Sequence, residues 1–249
     1  MRLLVSLECQ GVELAPSMIW DEPTKASAKE RLELRHKIDN SGLKLTGFQS
    51  LLYTHPELLL FKDEKTRKKI LDYFVRLMDL CVDLGGEVLV FGSPRNRNIG
   101  EFPPRLAYGI ANDFFQKVGE KALERNLFFC IEPLGKTETN FINTVSEAET
   151  LIFNCKGIGL HIDVKGLIDA DEVSAPYLIR SFAWAKHVHI NDPNLEPPGS
   201  SGFDHKKIRD KMEGSGYSRF ISIEMRRHKT NIEGTICKAV NYVKQIYLK

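Results

Sequence analysis

Long apolar runs, an excess of one charge and paired cysteines are all missing from this chain, and each lack removes a class of function. No apolar stretch approaches the roughly 20 residues of a bilayer-spanning helix, and the apolar opening at residues 1–7 meets Glu8 too soon for a signal-peptide core. No membrane role is expected. The 35 basic and 33 acidic residues leave a formal net charge of +2, too little to neutralise a long phosphate backbone, so nucleic acid is not an expected partner. The five cysteines, Cys9, Cys81, Cys130, Cys155 and Cys237, are odd in number and lack CxxC spacing. They suit free thiols in a reducing compartment, which points to the cytoplasm. No Pro/Ser-rich linker, low-complexity segment or short repeat divides the sequence, so residues 1–249 read as a single domain.

What the chain does have is a regular alternation of short apolar runs with longer stretches of helical period, the pattern of parallel strands joined by crossover helices. The candidate strands are residues 11–15, 43–52, 88–92, 127–133, 158–164, 187–191 and 220–225. Ile70, Leu71, Phe74, Leu77, Met78, Cys81 and Leu84 share one helical face, and Gly85-Gly86 stops that helix. Ser27 with Glu30, and Thr144 with Glu147, have the spacing of capping boxes and mark two more helix starts. Further helices are expected over residues 104–124, 171–182, 204–212 and 230–247.

This order predicts an α/β fold, a TIM-type (β/α) barrel, but with seven clear βα units where eight would close the ring. Only ten residues precede Gly11, and Leu3, Leu4 and Leu7 sit at helical spacing, so the first strand is expected to be absent or distorted and the start truncated. The resulting gap would expose two strand edges, to be covered by a partner chain in a homodimer, by a loop or by local repacking.

Four polar residues fall at the C-terminal ends of four consecutive strands: Glu132, Asp163, His189 and Glu224. Strand side chains alternate, so residues at one depth of successive strands converge on the axis, at the mouth where active sites of this architecture form. Converging carboxylates repel unless a cation neutralises them. Three oxygen donors and one nitrogen suit one divalent metal ion, manganese or magnesium first, with cobalt or zinc also compatible. Taken singly, each acidic residue reads as readily as a strand cap or a partner for a lysine; their common register favours a metal site. Cys130, His161, His187 and Ser222 lie one layer deeper and read as satisfied core groups, with His161 or His187 able to orient a ligand.

Around this mouth, Lys165 and Arg95 or Arg97, of which Arg97 is preferred, are candidate cations for a substrate phosphate or carboxylate. Residues 197–204, rich in glycine and serine ahead of a helix, are a weaker candidate for an anion cradle. His55 reads as a turn residue.

Gly11-Val12-Glu13-Leu14-Ala15-Pro16, Phe91-Gly92-Ser93-Pro94-Arg95-Asn96-Arg97, Ile131-Glu132-Pro133-Leu134, residues 159–163, His187-Val188-His189-Ile190-Asn191-Asp192 and Ile221-Ser222-Ile223-Glu224-Met225 together resemble the xylose-isomerase-like barrel superfamily. They resemble particularly its sugar phosphate isomerase/epimerase group, which includes ketose 3-epimerases. The resemblance implies that Glu132, Asp163, His189 and Glu224 bind one metal and that Glu132 and Glu224 also move the proton. The substrate would be a small sugar or sugar phosphate, its carbonyl and neighbouring hydroxyl chelated by the metal, and isomerisation or epimerisation would pass through an enediolate.

The same resemblance gives Glu138 a substrate contact, and Asn140 and Thr144 continue it. Two family positions differ. A histidine three residues after the aspartate is Gly166 here, and an arginine six residues after the metal histidine is Leu195. Those departures imply different sugar contacts and keep two other readings open: a metal-dependent lyase or dehydratase on the same barrel, and a non-catalytic metal- or sugar-binding paralogue. An abasic-site endonuclease, which shares the barrel, ranks low because seven histidines and a near-neutral charge supply neither the extra ligands nor the basic face.

Overall fold

Seven short parallel strands line up in chain order and bring their C-terminal ends to one mouth. The computed structural model describes residues 1–248, with β1 Gly11–Leu14, β2 Lys44–Phe48, β3 Val88–Phe91, β4 Phe128–Ile131, β5 Ile158–Asp163, β6 Ala185–Ile190 and β7 Ile221–Ile223. The sheet order is β1-β2-β3-β4-β5-β6-β7, every neighbouring pair parallel. Helices α1 Arg2–Ser6, α2 Ala28–Asp39, α3 Glu64–Asp83, α4 Pro104–Leu123, α5 Val145–Asn154, α6 Val164–Asp169, α7 Leu178–Trp184, α8 Lys206–Ser215 and α9 Ile232–Tyr247 complete the fold.

Local chemistry sets several of these boundaries. Both capping boxes form: the Ser27 hydroxyl accepts from the Glu30 amide while Glu30 accepts from the Ser27 amide, and Thr144 and Glu147 repeat the exchange. On α3, Ile70, Phe74, Leu77, Met78 and Cys81 are buried, as their spacing predicts. Each such apolar side chain contributes about 1.5–3 kcal/mol when fully buried. The main core lies between strands and helices, whereas Val88, Val90 and Cys130 form a small separate cluster.

The barrel is nearly closed but keeps a gap. Among the described residues β1 and β7 do not pair, residues 2–6 are helical, and a cavity of about 1060 Å³ is lined by both strands together with Leu4, Leu7 and Val240. Lys244 of α9 pairs with Glu8 beside it. The seven-strand reading beginning at Gly11 therefore holds, and residues 1–7 are not its first strand.

Two expectations are corrected. The helix expected over residues 171–182 is broken: Asp171 has φ 55°, Pro176 lacks an amide proton, and α7 begins only at Leu178. Ahead of it stands the unforeseen α6, whose N-cap is Asp163. The run at residues 43–52 is strand only from Lys44 to Phe48 and then turns.

Candidate active site

The four residues singled out at the strand ends all stand at the mouth. Asp163 closes β5, His189 lies one residue before the end of β6, and Glu132 and Glu224 directly follow β4 and β7. The backbone ladder carries the two glutamates: the Glu132 amide donates to the Phe91 carbonyl over 3.2 Å, and the Glu224 amide to the Ile190 carbonyl over 3.3 Å. Glu132, Asp163 and His189 are buried, and the Glu224 side chain is 25% exposed. Gly92, just past β3, is needed here for space, because a Cβ would fall on Glu132 Oε2.

Glu132, His161, Asp163 and His189 each place one ligand-capable atom within 4.8 Å of all the others. Glu224 joins through His189, whose Nδ1 is 3.2 Å from Glu224 Oε2. His161 was expected one layer too deep to share a metal with the four, and this is corrected. In the β5–β6 ladder His161 is opposite His187 and Asp163 opposite His189, so the His161 backbone does lie one layer deeper; its imidazole nevertheless reaches the upper layer, 4.1 Å, centroid to centroid, from the His189 ring. Both His161 nitrogens are buried without a hydrogen-bond partner, and Nε2 lies 3.9 Å from Glu132 Oε1.

Burial and crowding explain the electrostatics. Desolvation, then the Glu224 and Asp163 charges, push the Glu132 carboxyl well above the usual range. Desolvation and Glu224 raise Asp163 to about 6. Burial alone would depress His189, but the Glu13 and Glu224 carboxylates outweigh it and hold the ring well above the usual histidine value. Desolvation and its two histidine neighbours push His161 well down, leaving a neutral imidazole. A pocket of converging carboxylates with an unpartnered neutral imidazole fits a divalent cation, which would relieve the repulsion and claim a free nitrogen.

Other residues expected at the site are sorted by the fold. Lys165 Nζ is 2.6 Å from Glu138 Oε2 and 2.5 Å from Asp169 Oδ2, so the two candidate substrate contacts meet as an ion pair. Arg97 is fully buried rather than at a solvated rim: Nη2 donates to the Ile142 carbonyl over 3.3 Å, Nε and Nη1 have no partner, and burial lowers its pKa to about 10. A Cβ at Gly166 would lie 2.9 Å from the Pro133 carbonyl oxygen, so the backbone would have to shift to admit a larger side chain here. Leu195 sits in a tight turn with φ 59°. The expected anion cradle at residues 197–204 is filled from within the chain, because the Gly199 and Ser201 amides donate to Asp192 at 3.1 and 2.6 Å.

Two further residues stand at the site without being marked by the strand-end pattern. Glu13 of β1 accepts from His189 Nε2 at 2.8 Å and from His187 Nε2 at 3.1 Å, with its own pKa held well below the usual range: burial opposes this, and the two rings outweigh it. Asn191 donates to Asp163 Oδ2 over 2.6 Å and accepts from the Lys165 amide. Strand alternation signals Asn191, two residues from His189; Glu13 follows a register shift in β1 and its partners lie 174 and 176 residues away.

Fold and pocket together define a class: a parallel α/β barrel whose mouth gathers carboxylates and histidines in a set able to hold a divalent cation. The chain belongs to the xylose isomerase-like TIM barrel family, which matches residues 1–246. A probable ketose 3-epimerase of Synechocystis sp. is 23% identical over 203 residues, covering 78% of this chain and 68% of that protein. Among solved structures, a D-psicose 3-epimerase with D-tagatose from Clostridium cellulolyticum H10 superposes with a TM-score of 0.83 at 14% identity, over 98% of this chain and 91% of its own. A 3-keto-D-glucoside 4-epimerase from E. coli gives 0.79 at 16% identity, over 98% and 92%.

Proposed function

We propose that this protein is a divalent-metal-dependent epimerase or isomerase of sugars, acting on ketoses or their phosphates by proton transfer beside a carbonyl. The observation that carries the reading is that Glu132 and Glu224 approach one His189-centred cluster from the ends of β4 and β7, two strands that are not neighbours. A substrate carbon held between them would have a carboxylate on each side. The names of the similar proteins, two ketose-type 3-epimerases and a keto-glucoside epimerase, support the same chemistry.

Glu132, Asp163, His189 and Glu224 would hold the ion, manganese or magnesium before cobalt or zinc, with the unpartnered His161 imidazole in reach as a further donor. When bound, such an ion polarises a carbonyl and a neighbouring hydroxyl and acidifies the C–H bond beside them. One glutamate takes that proton; the C–H electron pair becomes the enediolate double bond, and the carbonyl π pair moves to oxygen. The other glutamate returns a proton to the opposite face of the same carbon, inverting it, while return to the neighbouring carbon gives the isomer.

Glu138 and Lys165 are the proposed sugar contacts, with Gly166 and Leu195 making those contacts differ from the usual family pattern. Arg97 is proposed to serve from behind, as a buried cation that feels the Glu132, Glu138 and Glu147 charges. Five free cysteines support a reducing, cytoplasmic setting. A homodimer that covers the β1–β7 gap is part of the same reading; no nucleic acid is.

The direct test incubates the manganese-loaded protein with ketoses, ketose phosphates and keto-inositols and analyses products by NMR. An epimer or isomer supports the proposal. Dehydrated product replaces it with a lyase, and tight metal binding without any product replaces it with a binding protein.

A further inference from the structure

Glu13 lies on β1, 176 residues away in sequence from the histidine it meets, and the mechanism above assigns it no task. Its Oε2 is 2.8 Å from His189 Nε2 and 3.1 Å from His187 Nε2, and its side chain is 9% exposed. His187 Nε2 is also 3.0 Å from the Ser222 hydroxyl. The other His189 nitrogen, Nδ1, faces Glu224 at 3.2 Å, and one His189 nitrogen also lies within 4.8 Å of ligand-capable atoms of Glu132 and Asp163.

An ionised carboxylate only accepts hydrogen bonds, so both rings must present Nε2–H to Glu13. A proton fixed on His189 Nε2 leaves the Nδ1 lone pair as the atom available to a cation. Histidine ligands commonly donate their second N–H to a carboxylate, which fixes ring and tautomer and raises the basicity of the liganding nitrogen. The Oε1 atom of Glu13 is buried without a partner, so the engagements of this carboxylate are the two histidines of β6.

We infer that Glu13 is a positioning residue: by accepting from Nε2 it orients His189 and selects Nδ1 as the metal-binding nitrogen. This rests on the reading of His189 as a metal ligand. The geometry also separates the two histidines of β6. His187, bracketed by Glu13 and Ser222, has its Nε2 occupied on both sides and belongs to the support of the site, whereas His189 keeps one nitrogen toward the carboxylates.

The test uses the full chain stripped of metal and titrated with cobalt(II), followed by its visible absorption, together with ¹⁵N NMR of the histidines in the zinc(II)-loaded protein. Glu13→Gln keeps the shape and an acceptor while losing the charge; Glu13→Leu removes the acceptor. Cobalt affinity should fall about 10-fold in the glutamine variant and up to about 100-fold in the leucine variant, in the range of lost outer partners of metal histidines. In the zinc-loaded wild type His189 should be metallated at Nδ1 and protonated at Nε2. Affinity within twofold of wild type in Glu13→Leu, or metallation at Nε2, overturns the inference. If the leucine variant does not fold, Glu13→Gln decides alone by the same twofold limit. His189→Ala distinguishes the two levels: unchanged cobalt affinity there overturns the ligand reading itself, while a loss there with an indifferent Glu13 overturns only this step.

Discussion

His205 Nε2 lies 2.7 Å from Asp192 Oδ1 in surroundings where neither residue reaches solvent, and His205 Nδ1 lies 2.7 Å from the Tyr247 hydroxyl. The same aspartate collects the Gly199 and Ser201 amides. One carboxylate thus ties the loop after β6 to the start of α8 and the end of α9. Asp192→Ala would leave buried donors without an acceptor, at a cost of about 2–4 kcal/mol. Chemical denaturation should show that loss, with divalent-metal affinity changed by less than about threefold; an unchanged midpoint would mean that the loop is held by other contacts.

Metal-free protein should lose stability as pH rises through the range in which Asp163 ionises. Burial and the neighbouring Glu224 raise that carboxyl from 3.8 to about 6, so its bound proton favours the folded state fully below pH 3.8, and the benefit is lost as pH passes about 6. A rise of that size corresponds to about 3 kcal/mol. Carboxylates held low, such as Asp192, act in the opposite direction, so the informative quantity is a difference. Denaturation of wild type and Asp163→Asn in chelator, from pH 4 to 7, should show the neutral variant gaining on wild type with rising pH. Parallel curves would contradict the assigned cause.

Gly92→Ala places a methyl carbon on Glu132 Oε2. The carboxyl has to turn away or the β3 end has to shift, so manganese affinity should fall on the order of 10-fold, as for other losses of support around metal ligands. Calorimetric titration checks this, and wild-type affinity would show that Glu132 holds no metal in its present rotamer.

Lys165→Met removes the cation shared by Glu138 and Asp169 at the partly exposed rim. Stability should change by less than about 1 kcal/mol, in keeping with solvent-screened pairs. KM for a turned-over sugar should rise several-fold while kcat changes less. Unchanged KM would remove Lys165 from substrate binding.

Much of this was legible in the sequence because the relevant signals are local. Seven apolar runs at crossover spacing mark the strands, hydroxyl–carboxylate pairs mark α2 and α5, and Glu132, Asp163, His189 and Glu224 are recognisable by repeated position at strand ends. What escaped depends on partners far along the chain. Glu13 gains meaning only when β1 meets β6 across the barrel, and His161 enters the donor cluster because its imidazole reaches up beside the His189 ring from one layer deeper. Arg97 reads as a loop cation until β4 and its loop close over it, and the amides at Gly199 and Ser201 resemble an anion cradle until Asp192 fills it. The short α6 was hidden because Asp163 ends a strand and caps a helix at once.

The central claim is that two carboxylates of this mouth move a carbon-bound proton. Manganese-loaded protein in deuterated solvent should wash deuterium into the carbon beside a ketose carbonyl, detected by loss of its proton NMR signal. Glu132→Gln and Glu224→Gln, in which an amide oxygen still ligates but takes up no proton, should each slow that exchange by a factor on the order of 100 or more, the scale of general acid–base catalysis, while binding metal far better than His189→Ala does. Exchange at the wild-type rate in either glutamine variant would contradict the role assigned to that residue, and no exchange with any ketose or ketose phosphate in the metal-loaded wild type would contradict the account as a whole.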